Sequence, residues 1–284
     1  MKENFIKQVL STDFYSPMFW ESINRNIIIL VAVLFFLFYA LFMKAKAIIF
    51  DKDGTLFPYN LWKNPIRKFF SSELPLSKLS PSKKEACIDE FSSVVGIKKD
   101  GTLNSNGLFL KRSYFSSFFS LVFITLKYHL NPFKSAKGFL KIKNRCRYGY
   151  KEELKKYDFS RLQKLLLEYK RNGSNLAVFT NDTKESLDIF LSVFGRGFFS
   201  FSIDDTSLHT KPDPRTIKDY SMFSKIEAKD MMIVSDSVKD LKMAKKAGVG
   251  TIVALEGTAE TKELKKWADY VFSDIISALS FFIS

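Results

Sequence analysis

Short apolar segments alternate with helical segments along the chain from Ala45 onward, and this alternation restricts the possible folds more than any other feature of the sequence. The apolar segments have the length and composition of buried strands. They are AIIF (47–50), LAVFT (176–180), MMIV (231–234), GTIVAL (250–255) and DYVF (269–272). Strands that alternate with helices form parallel sheets with helices packed on both faces. The sequence therefore predicts an α/β fold with a doubly wound parallel sheet.

The segments between these strands show helical periodicity. Apolar side chains recur on one helical face at Leu162, Leu165, Leu166 and Tyr169, and again at Leu187, Phe190, Leu191 and Phe194. Asp158 or Ser160 suits the start of the first of these helices, and Gly173 suits its end. Further helices are predicted over residues 241–247 and 260–267.

The alternation stops between residues 59 and 157, where a Ser/Pro-rich stretch leads into a basic, Phe-rich stretch. We expect residues 59–157 to form an inserted, mainly helical cap, and residues 44–58 and 158–284 to form the α/β core. The apolar segment SYFSSFFSLVFITL (113–126) has only 14 residues and contains several serines. These properties favour a buried cap helix over a membrane span.

Residues 27–43 form an uncharged run of 17 residues within the N-terminal segment 1–43. At 1.5 Å per residue this run makes a helix of about 25 Å, which just suffices to cross a bilayer. No small-x-small cleavage site follows the run, so a transmembrane helix is predicted rather than a signal peptide. Lys44 and Lys46 follow the run and place the domain after it in the cytoplasm. The expected location is therefore a membrane, bound through residues 27–43.

A second interpretation starts the protein at Met43. The stretch MKAKAIIFDKDGTL has the form of a natural beginning of a soluble domain, which would then be cytoplasmic. The sequence leaves both interpretations open.

The net charge of +14 is unevenly distributed: residues 101–151 contain ten Lys or Arg and no Asp or Glu. Such a segment can attract phosphorylated substrates, anionic lipid or nucleic acid, or it can be a solvated surface. No nucleic-acid recognition motif accompanies the charge, so nucleic acid is not an expected partner. The two cysteines, Cys87 and Cys146, lack the spacing of a zinc site or a disulfide framework, which fits a reducing compartment.

Asp51 and Asp53 directly follow the first predicted strand, in the motif DKDGTL. Two carboxylates at positions i and i+2 after a strand can converge on one phosphate, one as a nucleophile and the other as a general acid or base. An EF-hand calcium loop is excluded, because Gly54 stands at loop position 4 rather than 6 and Trp62 stands at position 12.

Three further polar clusters lie at the carboxyl ends of predicted strands, where open α/β sheets build their sites. They contain Thr180 and Asn181 in VFTND, Lys211 in TKPDP, and Asp236 and Asp240 after MMIV. Each cluster alone has a structural explanation, as a helix cap or a surface lysine. Their joint occurrence favours a catalytic site.

In this order the four clusters resemble the four signature motifs of the haloacid dehalogenase superfamily, over residues 45 to about 275. The insertion resembles the helical cap of the branch that contains phosphoglycolate phosphatase and β-phosphoglucomutase. The resemblance implies that Asp51 attacks phosphorus, and that Asp53 protonates the leaving oxygen and then activates water. One position departs from the pattern: Ser235 replaces the usual Gly, and its side chain is expected to crowd the loop.

The same resemblance implies the remaining roles. Thr180, Asn181 and Lys211 would bind the phosphoryl oxygens and offset their charge. Mg²⁺ would be the cofactor, held by the Asp51 and Asp236 carboxylates and the Asp53 backbone carbonyl, with Asp240 in support.

These roles predict a magnesium-dependent phosphatase that hydrolyses a small phosphate monoester through an aspartyl-phosphate intermediate. A phosphosugar mutase of the same fold keeps both aspartates and stays open as an alternative. A non-catalytic, membrane-tethered binding module is a further alternative, which the four intact clusters disfavour.

Overall fold

The computed structural model describes residues 29–30, 45–104, 107–108 and 114–283. Residues 45–284 form one compact unit, which contains the elements described below. Within the described ranges, no helix is both long enough and apolar enough to cross a membrane. The predicted transmembrane helix at 27–43 lies outside these ranges, apart from Ile29 and Leu30, which are helical.

A six-stranded parallel sheet forms the centre of this unit, with the strand order β3-β2-β1-β4-β5-β6. The strands are β1 (Ala47–Asp51), β2 (Asn175–Phe179), β3 (Phe201–Ile203), β4 (Met231–Ser235), β5 (Thr251–Leu255) and β6 (Tyr270–Phe272). On β1, Ile49 pairs with Ala177 of β2 on one side and with Ile233 of β4 on the other. The predicted parallel α/β fold is confirmed.

Helices pack on both faces of the sheet. Those that follow the insertion are α6 (Ser160–Arg171), α7 (Lys184–Phe194), α8 (Arg215–Ser224), α9 (Val238–Ala247), α10 (Thr261–Leu264) and α11 (Ile275–Ile283). Neighbouring β1 residues point to opposite faces: Ile48 and Phe50 belong to one buried cluster, and Ala47 and Ile49 belong to the other. Burial on both faces explains why the strands are uninterrupted apolar runs.

In the core, one strand was not predicted and one predicted helix is shorter than expected. Strand β3 was not predicted, because it has only three residues and pairs with β2 alone. The helix predicted over 260–267 is the single turn α10, and Lys265 and Lys266 stand in a tight turn after it. Both errors concern elements that are too short to show a periodic pattern.

The segment between β1 and β2 is mainly helical in its described parts. It contains α1 (Lys63–Glu73), α2 (Pro81–Val95), α3 (Tyr114–Lys127), α4 (Pro132–Leu140) and α5 (Tyr150–Lys156). Two 3₁₀ segments, Tyr59–Trp62 and Ile142–Tyr148, precede α1 and α5. The buried cluster that contains Phe50 continues into this segment. The division into a core and a cap therefore stays a prediction.

Helix α3 differs from the expected buried cap helix. Its buried side chains include Leu121 and Ile124, but the opposite face is exposed to solvent, with exposed fractions of 67% for Phe123 and 63% for Leu126. Phe118 and Phe119 lie on the same exposed side. The segment is a helix, as predicted, but it is buried on one face only.

Candidate active site

The strand order places two predicted clusters side by side. From β1 the chain adds β2 and β3 on one side of the sheet, and then returns to add β4, β5 and β6 on the other side. Ligands of open α/β sheets bind at the carboxyl ends of the two strands where this change of side occurs, here β1 and β4. Asp51 is the last residue of β1, and Asp236 follows the last residue of β4. The topology thus brings together carboxylates that are 185 positions apart in the sequence.

A cavity of about 530 Å³ lies at this edge of the sheet. Six of the seven predicted site residues line it: Asp51, Asp53, Thr180, Asn181, Lys211 and Asp240. The seventh, Asp236, is 1% exposed and lies close enough to Asp51 and Asp240 to act on them electrostatically. All seven residues therefore belong to one local environment.

Lys211 connects two of these carboxylates. Its Nζ atom donates hydrogen bonds of 2.6 Å to Oδ1 of Asp51 and of 2.6 Å to Oδ2 of Asp240. Burial raises the pKa of the Asp51 carboxyl from 3.8 to about 6, although the ammonium of Lys211 lowers it. Burial also opposes the charged form of Lys211, but Asp240 and Asp51 outweigh it and the pKa of Lys211 is raised. Lys211 therefore carries a positive charge beside the candidate nucleophile.

Asp236 is the least satisfied side chain of the site. Both of its carboxylate oxygens are buried without a hydrogen-bond partner among the described residues. Burial and the nearby Asp51 and Asp240 raise the pKa of Asp236 well above its ordinary value. A buried carboxylate with this environment fits a cation ligand, because a bound cation supplies the missing compensation.

The donor set of the site is compatible with Mg²⁺. Within the described part of the chain, no three His, Cys, Asp or Glu side chains converge as a complete metal cage. Mg²⁺ does not require one, since it commonly keeps several waters and takes only one or two carboxylates. The predicted ligands Asp51, Asp236 and the backbone carbonyl of Asp53 would form such a set.

Gly54 permits the close approach of the loops that follow β1 and β4. Its φ of +82° lies in the left-handed region. A Cβ atom at this position would lie 2.2 Å from the Tyr59 ring and 2.5 Å from Oδ2 of Asp236. Only glycine fits this position, because any side chain would strain the backbone and collide with Asp236.

Asp53 is held by two neighbours. The indole Nε1–H of Trp62 donates a 2.6 Å hydrogen bond to its Oδ1 atom. Nζ of Lys52 lies 2.7 Å from its Oδ2 atom. Each oxygen of this carboxylate therefore has its own donor.

Thr180 and Asn181 follow β2 and line the cavity. The Thr180 side chain is buried, and its Oγ1 atom accepts a 3.0 Å hydrogen bond from the backbone N–H of Asp182. Helix α7 begins three residues after Asn181, and Thr183 caps it by accepting from the N–H of Ser186. The positive end of this helix dipole adjoins the cavity, since Thr183 also lines it.

Ser235 does not crowd the loop. It is fully buried, and its hydroxyl donates a 3.0 Å hydrogen bond to Oδ2 of Asp240. The same hydroxyl accepts a 3.1 Å bond from the backbone N–H of Ser237. The expectation of crowding was wrong, because the extra side chain joins the polar network of the site.

Sequence reasoning missed several residues of the site. Lys52, Trp62 and Asp182 contact the predicted residues directly, and Arg145 pairs with Asp182 at 2.8 Å. Lys52 carried a detectable signal, because a charged residue is unusual at the end of a buried strand. Trp62 and Arg145 lie in the insertion, and no local pattern marks their contact with the sheet.

Comparison with known proteins adds to this geometry. Residues 45–248 match the sequence model of the haloacid dehalogenase-like hydrolases. A search of curated proteins gave no match.

Several solved structures have a similar fold. A predicted phosphoglycolate phosphatase from Haemophilus somnus has a TM-score of 0.55 at 21% identity, over 84% of this chain and 98% of that chain. A haloacid dehalogenase-like hydrolase from Streptococcus pneumoniae has a TM-score of 0.54 at 19% identity, over 84% and 99%. CbbY from Rhodobacter sphaeroides, solved in complex with phosphate, has a TM-score of 0.51 at 18% identity, over 82% and 95%. At these identities the likeness extends to the fold alone.

Proposed function

The chain belongs to the haloacid dehalogenase-like hydrolases, and on this basis we propose that it is a magnesium-dependent phosphatase acting on a small phosphate monoester through a phosphorylated Asp51. The observation that carries the proposal is the contact between Asp51 and the charged Lys211 in a cavity that also contains Asp53. A carboxylate nucleophile, a fixed cation and a second carboxyl group are the parts that phosphoryl transfer to an aspartate needs.

The reaction proceeds in two balanced steps. A carboxylate oxygen of Asp51 forms a bond to phosphorus, the ester P–O bond breaks, and Asp53 gives its proton to the departing oxygen. Water then attacks the aspartyl phosphate and loses a proton to the Asp53 carboxylate, and the bond between phosphorus and Asp51 breaks. The products are the alcohol and inorganic phosphate, and both aspartates return to their starting states.

Other residues stabilise the charge on the transferred group. Lys211, Thr180 and Asn181 bind the phosphoryl oxygens, and the amino-terminal end of α7 adds a favourable dipole. Asp240 accepts from Lys211 and Ser235, so it fixes the position of the ammonium group. Mg²⁺ bound by Asp51, Asp236 and the Asp53 carbonyl would neutralise negative charge on the phosphoryl group.

We propose that the inserted segment selects the substrate. Residues of this segment that line the cavity are Tyr59, Trp62, Val95, Leu108, Ile142 and Arg145. Most of them are apolar, so the leaving group meets a largely apolar wall. We accordingly propose residues 59–157 as a cap over the core formed by residues 44–58 and 158–284. The membrane anchor at 27–43 stays a prediction from sequence.

The test is phosphate release from p-nitrophenyl phosphate by the full chain, with Mg²⁺ and with excess EDTA. We expect release only with Mg²⁺, and at least about a 10³-fold loss in Asp51→Asn, because the amide keeps the shape but is not a nucleophile. Circular dichroism and thermal unfolding of Asp51→Asn check that the variant is folded.

Three outcomes would contradict the proposal. Absence of release by the wild-type chain from a panel of phosphate monoesters would favour a non-catalytic binding module. Isomer exchange primed by a sugar bisphosphate, without net phosphate release, would identify a mutase. Retention of most activity by Asp51→Asn would exclude the phosphorylated aspartate.

A further inference from the structure

Lys52 stands between the two aspartates of the first motif and is completely buried. Its ammonium group lies 2.7 Å from Oδ2 of Asp53 and 3.2 Å from Oδ2 of Asp182. The hydroxyls of Tyr150 and Ser186 are each 3.4 Å from the same nitrogen. Lysine almost never lies fully inside a protein unless it is paired. These partners account for the complete burial of Lys52.

The charge of Lys52 is compensated by its surroundings. Burial disfavours the ammonium form, but the carboxylates of Asp53 and Asp182 outweigh it, and the pKa of Lys52 is raised above its ordinary value. The rings of Phe57, Trp62 and Tyr150 also surround the ammonium, at 5.2 Å, 5.5 Å and 5.5 Å from their centroids. Cations at this distance from aromatic faces are stabilised by the ring quadrupole.

Trp62 holds the other side of Asp53. While Lys52 contacts Oδ2, the indole N–H of Trp62 donates to Oδ1 at 2.6 Å. The two donors approach different oxygens, so rotation of the Asp53 carboxylate would break one contact or both. Trp62 in turn stacks on Tyr150, with ring centroids 4.0 Å apart.

The same contacts join the insertion to the sheet. Trp62 and Tyr150 lie in the inserted segment, whereas Lys52 follows β1 and Asp182 follows β2. Arg145, also in the insertion, pairs with Asp182 at 2.8 Å and lies 4.5 Å from the Trp62 ring centroid. The Trp62 bond to Asp53 and the Tyr150 contact of Lys52 therefore exist only when the insertion is docked on the sheet, whereas the contact between Lys52 and Asp53 lies within the loop after β1.

We propose that Lys52 is a positioning residue for Asp53: together with Trp62 it fixes both oxygens of the carboxyl group, and it ties that orientation to the docked state of the insertion. This inference rests on the proposed phosphatase function. Lys52 does not touch the phosphoryl group in this role, and it acts only through Asp53.

A purely structural role makes a different prediction. If Lys52 served only to compensate Asp182, its loss would lower stability and reduce activity to the same degree whatever residue stood at position 53. If Lys52 acts through Asp53, its loss matters only while Asp53 is present. A double-mutant cycle separates the two roles.

The experiment compares full-length wild type, Lys52→Met, Asp53→Asn and the double variant, with p-nitrophenyl phosphate and Mg²⁺. We expect Lys52→Met to lower kcat by about 10- to 100-fold, a part of the 10²- to 10⁴-fold effect of a general acid or base, with KM nearly unchanged. In the Asp53→Asn background the same change should alter kcat by less than about threefold. Equal losses in both backgrounds would overturn the proposal.

A pre-steady-state burst gives a second readout. p-Nitrophenolate leaves without help from an acid, so the first step needs little from Asp53, whereas hydrolysis of the phosphorylated Asp51 needs Asp53 as a base. Lys52→Met should therefore release about one equivalent of p-nitrophenolate rapidly and then turn over slowly. A merely misfolded fraction would reduce the burst amplitude, and the absence of a burst would count against the proposal.

One further variant serves as a control, and another removes the second donor to Asp53. Ser186→Ala removes another neighbour of Lys52 without touching Asp53, and it should leave kcat within about twofold. Trp62→Phe removes the second donor to Asp53 and should show the same burst, which provides the test if Lys52→Met fails to fold. If wild type shows no Mg²⁺-dependent phosphate release, the proposed function has failed, which is a different outcome from additive losses in an active enzyme.

Discussion

The ammonium group of Lys211 lies 2.6 Å from the Oδ1 atom of Asp51, so the candidate nucleophile and its fixed cation are in direct contact. The contact is buried, with only 6% of the Lys211 side chain and 10% of the Asp51 side chain exposed. A phosphoryl group bonded to Asp51 would lie within reach of this ammonium. We therefore expect this pair to contribute both to catalysis and to the stability of the site.

Replacing Lys211 by Met should impair both properties. We expect kcat/KM to fall by about 10²- to 10³-fold, because a fixed positive charge near the phosphoryl group is lost. The free energy of unfolding should fall by about 3–5 kcal/mol, since the buried carboxylates of Asp51 and Asp240 lose their partner. Kinetics and urea unfolding measure the two effects, and Lys211→Arg is the control that keeps the charge. Unchanged stability of Lys211→Met would show that the two carboxylates are compensated elsewhere.

In the absence of metal, Asp236→Asn should stabilise the protein, whereas Lys211→Met should destabilise it. Its buried carboxylate has no partner among the described residues, so the neutral amide should raise the free energy of unfolding by about 1–3 kcal/mol in EDTA. In wild type, Mg²⁺ at 100 times its Kd should add about 2.7 kcal/mol. The variant should lose this gain together with activity. Urea unfolding with and without Mg²⁺ measures both, and an unchanged Mg²⁺ effect would place the metal elsewhere.

Mg²⁺ affinity should depend on pH. Without metal, the pKa of Asp51 is raised from 3.8 to about 6, so this carboxyl is half protonated near pH 6. A cation binds the ionised forms of Asp51 and Asp236, and burial also raises the pKa of Asp236. Binding at low pH must therefore release protons, and affinity should fall up to about tenfold per pH unit for each proton released. Titration calorimetry between pH 5 and pH 7.5, in buffers of different ionisation enthalpy, measures affinity and proton release. A flat affinity over this range would exclude Asp51 as a ligand.

Ser235→Gly restores the residue that the family usually has, yet it should not improve the enzyme. The Ser235 hydroxyl donates to Asp240 and accepts from the N–H of Ser237. Loss of these buried bonds should cost about 1–2 kcal/mol of stability, and kcat should fall only a few-fold because Lys211 still holds Asp240. Ser235→Ala is the matched control, since it removes the hydroxyl without adding backbone freedom. A clear gain in kcat for Ser235→Gly would mean that the side chain does obstruct the loop.

The sequence allowed most of the core to be predicted, because the information there is local. Strands such as β1 and β4 are uninterrupted apolar runs, and Asp51 and Asp236 stand directly at their ends. Parallel strands end at a common edge, so the grouping of the motif residues around one cavity follows from the fold class. The family resemblance inferred from these motifs is confirmed by the match over residues 45–248. The catalytic and metal-binding roles stay predictions.

The contacts of the insertion could not be predicted in the same way. Trp62 and Tyr150 are 88 positions apart, and they stack because separate helical turns pack on one another. Such a contact leaves no periodic pattern in the sequence. The exposed face of α3 was missed for a related reason: an apolar segment without charges does not reveal which of its faces finds a neighbour.

The position of β1 in the sheet also bears on how the protein is made. This strand pairs with β2 and β4, which follow it by about 120 and 180 residues. A ribosome that adds 5–20 residues per second needs about 6–25 s to reach β2 after completing β1. Throughout this interval the nascent chain carries an apolar strand that has no partner, and the risk of aggregation is concentrated there. Asp51 acquires its cation from Lys211 only when synthesis has passed residue 211, so the active site forms as a late event of translation.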